Sequence, residues 1–466
     1  MLKKFILICV VLFFSASAFA TPIGVFDYAD DVGRADGKCV GYGITQYVAA
    51  DEYRITASGA DIWGNQDGFH LAYKQMTGDV RLTMKGEFIM APDGWTKMGP
   101  MIRNGTPGNI ASDAVNYLML TRRGYDRVTL QERATAGGGS GKILEIKNQA
   151  PVALGIQRVT SGAYTVIQGL ADFGSGWQPH GLKINPAIDD EALFGVALTA
   201  HKNGVNDGMA QAKITDVVYD TSPSLLGVVD IPEAAKVDVC PTQISGFIVR
   251  TIKAGAGTNF DGDRWTESYP KMNEILDTGS IGGTAGVVDF PPGHRIEQFI
   301  NFDDGGDGLK FNAGNGFPSH SYPGIDSGPV AIAPADTSKG DGDNQFAAEA
   351  LGCIYLTQGL HIFGGQGDDG AQLKIGDVLV GQTTSWGSEG QWLVNAAVEG
   401  WYPLEARFFE QGGGAPWEMY EWLPDGTRIL LNDVAAGGSP VLVPEPATIA
   451  LLGFGGLSLL RIRKKR

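Results

Sequence analysis

Apolar and polar side chains alternate with period two through much of this chain. Val80, Leu82 and Met84 alternate with Arg81, Thr83 and Lys85, and residues 117–121, 128–132, 194–198 and 210–214 repeat the pattern, each run bounded by Gly, Asn or Asp. Successive side chains of a strand point to opposite faces, so the pattern predicts strands with one face in a core and one in water. Further strand-like runs fall at 353–363, 371–381 and 401–409. No long stretch carries a convincing helical period. The expectation is an all-β protein of two antiparallel, jelly-roll-like β-sandwich domains.

Two apolar stretches do not alternate. Near the start, Lys3 and Lys4 precede an uncharged run at 5–14 and a small-x-small site at Ala18-Phe19-Ala20. That order predicts a secretory signal peptide over residues 1–20 and a mature chain starting at Thr21. Near the end, Val443-Pro444-Glu445-Pro446 is followed by an uncharged apolar run at 447–460 and by Arg461-Ile462-Arg463-Lys464-Lys465-Arg466. The prolines stop a helix from continuing upstream. At ~1.5 Å per residue the run is ~21 Å long, a minimal membrane span, and the basic end favours the cytoplasmic side. A buried helix would be amphipathic, whereas this one is apolar all round.

Between these ends the divisions expected are a first sandwich at 21–222, a linker at 223–243 marked by Pro223, Pro232 and Pro241, a second sandwich at 244–438, and a terminal segment at 439–466. The chain has 67 Gly in 466 residues, about twice the usual share, and 19% charged residues, which suits short strands joined by tight turns. The formal net charge is −16 even with both basic ends included. Nucleic acid and anionic membrane surfaces require basic patches, so neither is an expected ligand; divalent cations are. Cys9 leaves with the signal, and Cys39, Cys240 and Cys353 remain. In an oxidising compartment the expectation is one disulfide and one thiol, with the pairing open.

The Pro-Glu-Pro turn, apolar helix and basic end, in that order, resemble the PEP-CTERM sorting signal of Gram-negative, exopolysaccharide-producing bacteria. The resemblance implies a precursor held transiently in the inner membrane, processed at Val443, Pro444, Glu445 and Pro446 by an exosortase-type protease, then passed to the cell surface or extracellular matrix.

Two further resemblances concern the sandwiches. Asp61-Ile62-Trp63-Gly64, Asp67-Gly68-Phe69-His70, Tyr73 and the run Trp95 to Arg103, with Tyr117 and Gln131-Glu132-Arg133, are similar to the concanavalin-like jelly roll found beside β-xylosidase modules and in regulation-of-enolase-type proteins. That family implies at most carbohydrate-associated binding. Trp63 and Trp95 are candidate sugar platforms; Phe69 and Tyr73 share their pattern, and a place in the core is the simpler reading for all four. His70 reads as structural, and Arg103 as the partner of a buried carboxylate such as Asp67. Gly137 to Lys142 has Ala136 and Ile143 where a phosphate loop requires Gly and Ser/Thr, so it reads as a hairpin loop.

In the second half, Phe363-Gly364-Gly365-Gln366-Gly367-Asp368-Asp369-Gly370-Ala371-Gln372-Leu373-Lys374-Ile375-Gly376, the run Gly400 to Glu410, and Gly412 to Trp422 resemble the β-sandwich domain of anthrax protective antigen, shared with adhesins and glycosidases. In the adhesin branch two adjacent Asp hold a calcium ion that also binds sugar hydroxyls, which implies Asp368 and Asp369 as ligands, with Asn344 or Asn395 as candidates for a third. Local turn geometry is the alternative role for such a pair. The run Asp303 to Asp307 lacks the twelfth-position Glu of an EF-hand loop.

No G-x-S-x-G, H-E-x-x-H or laminarinase-type carboxylate motif occurs. The sequence therefore points to a non-catalytic surface or matrix protein that binds exopolysaccharide or a cell-surface glycan. An extracellular glycan hydrolase and a ligand-free spacer are the alternatives.

Overall fold

The computed structural model describes residues 23–33, 43–108, 110, 114–124, 127–202, 208–238, 244–254, 260, 265–285, 287–288, 295–302, 345–383, 388–411 and 416–443. Its strands form β-sheets throughout, with one α-helix of 14 residues, Trp265–Thr278, among the described residues. The chain divides by contacts into two units. One comprises Met1–Ile156, Gly169–Trp177 and Ala187–Thr221; the other comprises Gln157–Gln168, Gln178–Pro186 and Ser222–Arg466.

Two seven-stranded sheets dominate the first part of the chain. The first runs in the order Tyr28–Val32, Phe69–Thr77, Glu191–Thr199, Lys97–Arg103, Tyr117–Arg123, Arg127–Arg133 and Gly141–Lys147. The second runs in the order Trp177–Ile184, Tyr164–Asp172, Ala153–Ser161, Val80–Met90, Ala210–Asp220, Glu52–Ala57 and Ile44–Ala49. Val80–Met90 and Ala210–Asp220 alternate between buried and exposed, as their period-two patterns dictate. The first sheet departs from that rule. Lys97–Arg103 is buried at every position, and Tyr117–Arg123 and Glu191–Thr199 at nearly every one. Its second face is covered in part by a small hairpin, Ile62–Trp63 paired with Gln66–Asp67, so polar residues expected in water lie inside instead. The loop at 137–140 joins the antiparallel strands Arg127–Arg133 and Gly141–Lys147, as a hairpin requires.

The second unit also pairs two sheets. A six-stranded sheet contains Val228–Ile231, Glu389–Ala396, Gly359–Gly367, Trp417–Trp422 and Asn301–Phe302 in order, with Arg428–Leu430 beside Trp417–Trp422. An eight-stranded sheet is built on Phe247–Lys253, Phe346–Leu356, Gly400–Glu410, Gly370–Ile375 and Val378–Gln382. Phe302, Phe346, Phe363, Leu373, Trp392, Phe408 and Trp417 pack into one core between them. Three expectations change here. The run at 353–363 breaks at Thr357-Gln358, so its halves join different sheets. The run at 371–381 folds back on itself at Gly376, which has φ 61°. The stretch read as a linker contributes Val228–Ile231, which pairs in parallel with Glu389–Ala396; its prolines flank that strand and leave its amides available to the ladder.

Candidate functional site

Asp368 and Asp369 form a corner where the chain passes from one sheet of the second unit to the other. Gly359–Gly367 belongs to the six-stranded sheet, and Gly370–Ile375 belongs to the eight-stranded one. The glycines on either side are set by close approach. A Cβ on Gly370 would lie 2.4 Å from the Phe409 ring, and one on Gly367 would lie 2.9 Å from the Gly370 carbonyl carbon. Only glycine fits at such contacts. The peptide between the two aspartates is cis.

The backbone fixes the corner from both sheets. Asp368 N–H donates to the Pro416 carbonyl at 3.1 Å, and Asp369 N–H donates to the Phe409 carbonyl at 3.3 Å. Gln411 N–H donates to Asp369 Oδ2 at 2.6 Å. Behind Gln411 its amide donates to the Phe260 carbonyl and to Ser268 Oγ, while Gln345 donates to the Gln411 carbonyl at 2.6 Å. Tyr269, on the helix, donates its hydroxyl within 3.0 Å of the Ala371 and Thr383 carbonyls. Its ring meets Phe409 edge-on. The corner thus stands on a fixed base, with Asp369 8% exposed and Asp368 more open.

Two adjacent carboxylates present hard oxygen donors, the type calcium prefers. The pair fits that ion in donor chemistry. Among the described residues no group of three or more His, Cys, Asp or Glu is placed to hold a metal ion; the other ligands calcium takes are oxygens of carbonyls, amides, water or hydroxyls. Asn395 is not among them. It donates to Asp230 Oδ1 at 2.8 Å and pairs in register with Leu360. From Leu360 to the end of that strand at Gly367 the chain rises ~23 Å. Asn344 and the acidic runs at 303–307 and 341–344 lie outside the described residues, as do Cys39, Cys240, residues 1–20, expected to be a signal peptide, and residues 444–466. Cys353 is buried within Phe346–Leu356.

The four aromatic candidates of the first unit divide into two pairs. Phe69 and Tyr73 are fully buried in the core, whereas Trp63 is 38% and Trp95 51% exposed. His70 is buried between Asp31, at 2.8 Å from Nδ1, and Thr45 Oγ1, at 2.9 Å from Nε2. Arg103 does not take Asp67. The Arg133 guanidinium forks onto both Asp67 oxygens at 2.8 Å, and the Arg103 guanidinium lies over the Phe69 ring. Arg133 makes both hydrogen bonds of a fork and also donates to the carbonyls of Gly64, Gly138 and Val115. No motif marks Gln411 in the sequence; its role follows from strand pairing.

Comparison with known proteins bears on the C-terminus first. Residues 442–466 match the family model described as the PEP-CTERM protein-sorting motif. The chain ends in a PEP-CTERM sorting signal. It is therefore an exported protein whose precursor is membrane-associated and sorted to the cell surface. Among the described residues no helix is long and apolar enough to cross a membrane; the apolar run at 447–460 lies outside them. No curated protein matches the chain. Solved structures similar to parts of it include a PA14 sugar-binding domain from an RTX adhesin (14% identity, TM-score 0.24, 40% of this chain and 95% of that domain). Another is the epithelial adhesin 9 A domain of Candida glabrata in complex with Galβ1-3GlcNAc (10% identity, TM-score 0.28, 47% and 94%). A third is the alginate lyase A1-II′ (10% identity, TM-score 0.26, 38% and 86%). What those proteins bind or cleave is a property of those proteins.

Proposed function

We propose that this is a non-catalytic, carbohydrate-binding protein of the cell surface or biofilm matrix, released from its membrane anchor by an exosortase-type protease and attached to exopolysaccharide or a neighbouring cell's glycan through calcium at Asp368 and Asp369. The observation that carries the ligand reading is the Asp368–Asp369 corner. Two adjacent aspartates lie between tight glycines, on a base braced by Gln411, Gln345 and Tyr269. Such a rigid, oxygen-rich corner needs little ordering to hold a cation, so its hydroxyl ligands can come from sugar. The sorting signal supports delivery to the place where such glycans lie.

The test is thermal unfolding of residues 21–443 with and without millimolar calcium, repeated for Asp368→Ala/Asp369→Ala. An ion at ~100 times its Kd stabilises the folded unit by ~2.7 kcal/mol. The expected result is a calcium-dependent rise in the second unit's transition, absent in the double variant, together with calcium-dependent retention on polysaccharide resin. No shift would refute the calcium mechanism. Turnover of an extracellular glycan would move the protein to the hydrolases.

A further inference from the structure

Trp63 and Trp95 are the large exposed aromatic side chains on one continuous polar shelf of the first unit, and each has a cation behind it. Lys97 Nζ lies over the Trp63 ring, 5.2 Å from its centroid, and the Arg123 guanidinium lies over the Trp95 ring at 4.5 Å. Lys97 and Arg123 face each other in register on paired strands, so their Cβ atoms stand ~5 Å apart. Both cations are buried, at 1% and 6% exposure, while the rings above them are open. Each indole is therefore covered on one face and accessible on the other. A cation–π contact of this kind also holds the ring flat against the protein.

The rim is polar and fixed. Asp61 accepts from Lys97 Nζ at 2.7 Å and sits 3.7 Å from His201 Nε2. His201 Nδ1 lies 2.8 Å from Asp93 Oδ2, and the Trp95 backbone N–H donates to Asp93 Oδ1 at 2.6 Å. The His201 ring is tilted beside Trp95 at 6.3 Å. Burial pushes the Asp93 carboxyl up, but the His201 and Trp95 hydrogen bonds and the nearby Lys202 outweigh it and hold it below its ordinary value. Asp61, Asp93 and His201 keep 23%, 22% and 33% of their side-chain surface in water.

We infer that this shelf is a second glycan-binding site, independent of calcium and of the Asp368–Asp369 corner, and that it takes an uncharged polysaccharide. Two exposed aromatic faces backed by cations on paired strands suit the C–H faces of pyranose rings, and the carboxylates and imidazole at the rim suit their hydroxyls. Charge selects the class of glycan. The two cations beneath the rings are buried and paired with carboxylates, Lys97 with Asp61 and Arg123 with Glu145, and Lys202 lies 3.6 Å from Asp93. A uronate or sulfated chain would find the two cations beneath the rings buried and paired, and would meet a protein that is acidic as a whole. A neutral chain pays no such desolvation.

The experiment is affinity electrophoresis of residues 21–443 through gels containing a neutral β-glucan, galactomannan or xylan, or alginate, with and without EDTA. At least one neutral polymer should retard the protein, alginate should not, and neither EDTA nor Asp368→Ala/Asp369→Ala should abolish the effect. Trp63→Ala and Trp95→Ala should each weaken retardation about tenfold or more, whereas Trp95→Tyr, which keeps a ring, should retain most of it. Titration of the unmodified protein with an oligosaccharide of the retarding polymer should change its tryptophan emission, a readout that needs no variant to fold. Four results would overturn the inference. They are no retardation by any neutral polymer, stronger retardation by alginate, retardation lost with EDTA but intact in both alanine variants, and tryptophan variants that alter only self-association in sedimentation.

Discussion

Replacing Arg133 by alanine tests whether the buried face of the first sheet depends on its charge network. The Arg133 and Asp67 side chains are 0% and 1% exposed, and two 2.8 Å hydrogen bonds join them. The same guanidinium donates to the carbonyls of Gly64, Gly138 and Val115. Alanine leaves the Asp67 carboxylate buried without its fork and strips those three carbonyls of a donor. Breaking such a pair from one side costs about 3–5 kcal/mol, a large part of the ~5–15 kcal/mol that holds a domain together. With a urea m-value of about 2 kcal/mol/M, the expected shift is about 2 M to lower urea. The assay is urea unfolding of residues 21–443 followed by tryptophan emission. The double variant Asp67→Leu/Arg133→Met should be more stable than Arg133→Ala, because it removes the stranded charge. A single-variant loss below about 1 kcal/mol, or a double variant no better than the single, would refute the reasoning. The loss would also loosen the hairpin that carries Trp63, so it bears on the shelf.

Other outcomes follow from the second unit. Gly370→Ala drives a methyl to 2.4 Å from the Phe409 ring and should cost about 1–3 kcal/mol by denaturation, while removing calcium-dependent stabilisation if the corner holds the ion. Glu421 is pushed up to about 7 by burial, which outweighs its hydrogen bonds from the Ser439 N–H and hydroxyl. The folded protein keeps this proton to higher pH than the unfolded chain, so the group's stabilisation is fullest below about 4.5 and is lost as pH rises through about 7. That loss is about 3 kcal/mol; Glu421→Gln should flatten stability against pH over this window, and an unchanged pH profile would remove Glu421 as its source. Arg407 is bound by Glu349, Glu405, Asp277 and Asn273. Arg407→Ala should destabilise by about 3–5 kcal/mol, and a loss within 0.5 kcal/mol would show the acids re-pairing elsewhere.

The sequence by itself determined what depends on local order along the chain. Strands at 80–84, 117–121, 128–132, 194–198, 210–214 and 401–409 were legible because period-two patterning acts residue by residue. The Pro-Glu-Pro, apolar and basic succession was legible because a sorting signal is read as a linear segment. Tertiary structure decided everything that rests on pairing between distant segments. Alternation expects one wet face on each strand, yet Lys97–Arg103 is buried on both faces, because a hairpin from residues 62–67 closes over the sheet. The same closure gives Asp67 to Arg133 instead of Arg103. Trp63 and Phe69 look alike in sequence, but one rides on the covering hairpin and the other lies beneath it. Lys97 and Arg123 are 26 positions apart in the chain and become neighbours only through strand register, which no local pattern encodes. The Asp368–Asp369 pair was visible as a motif; that Gln411 holds it and Asn395 does not was decided by which strands face each other across the two sheets.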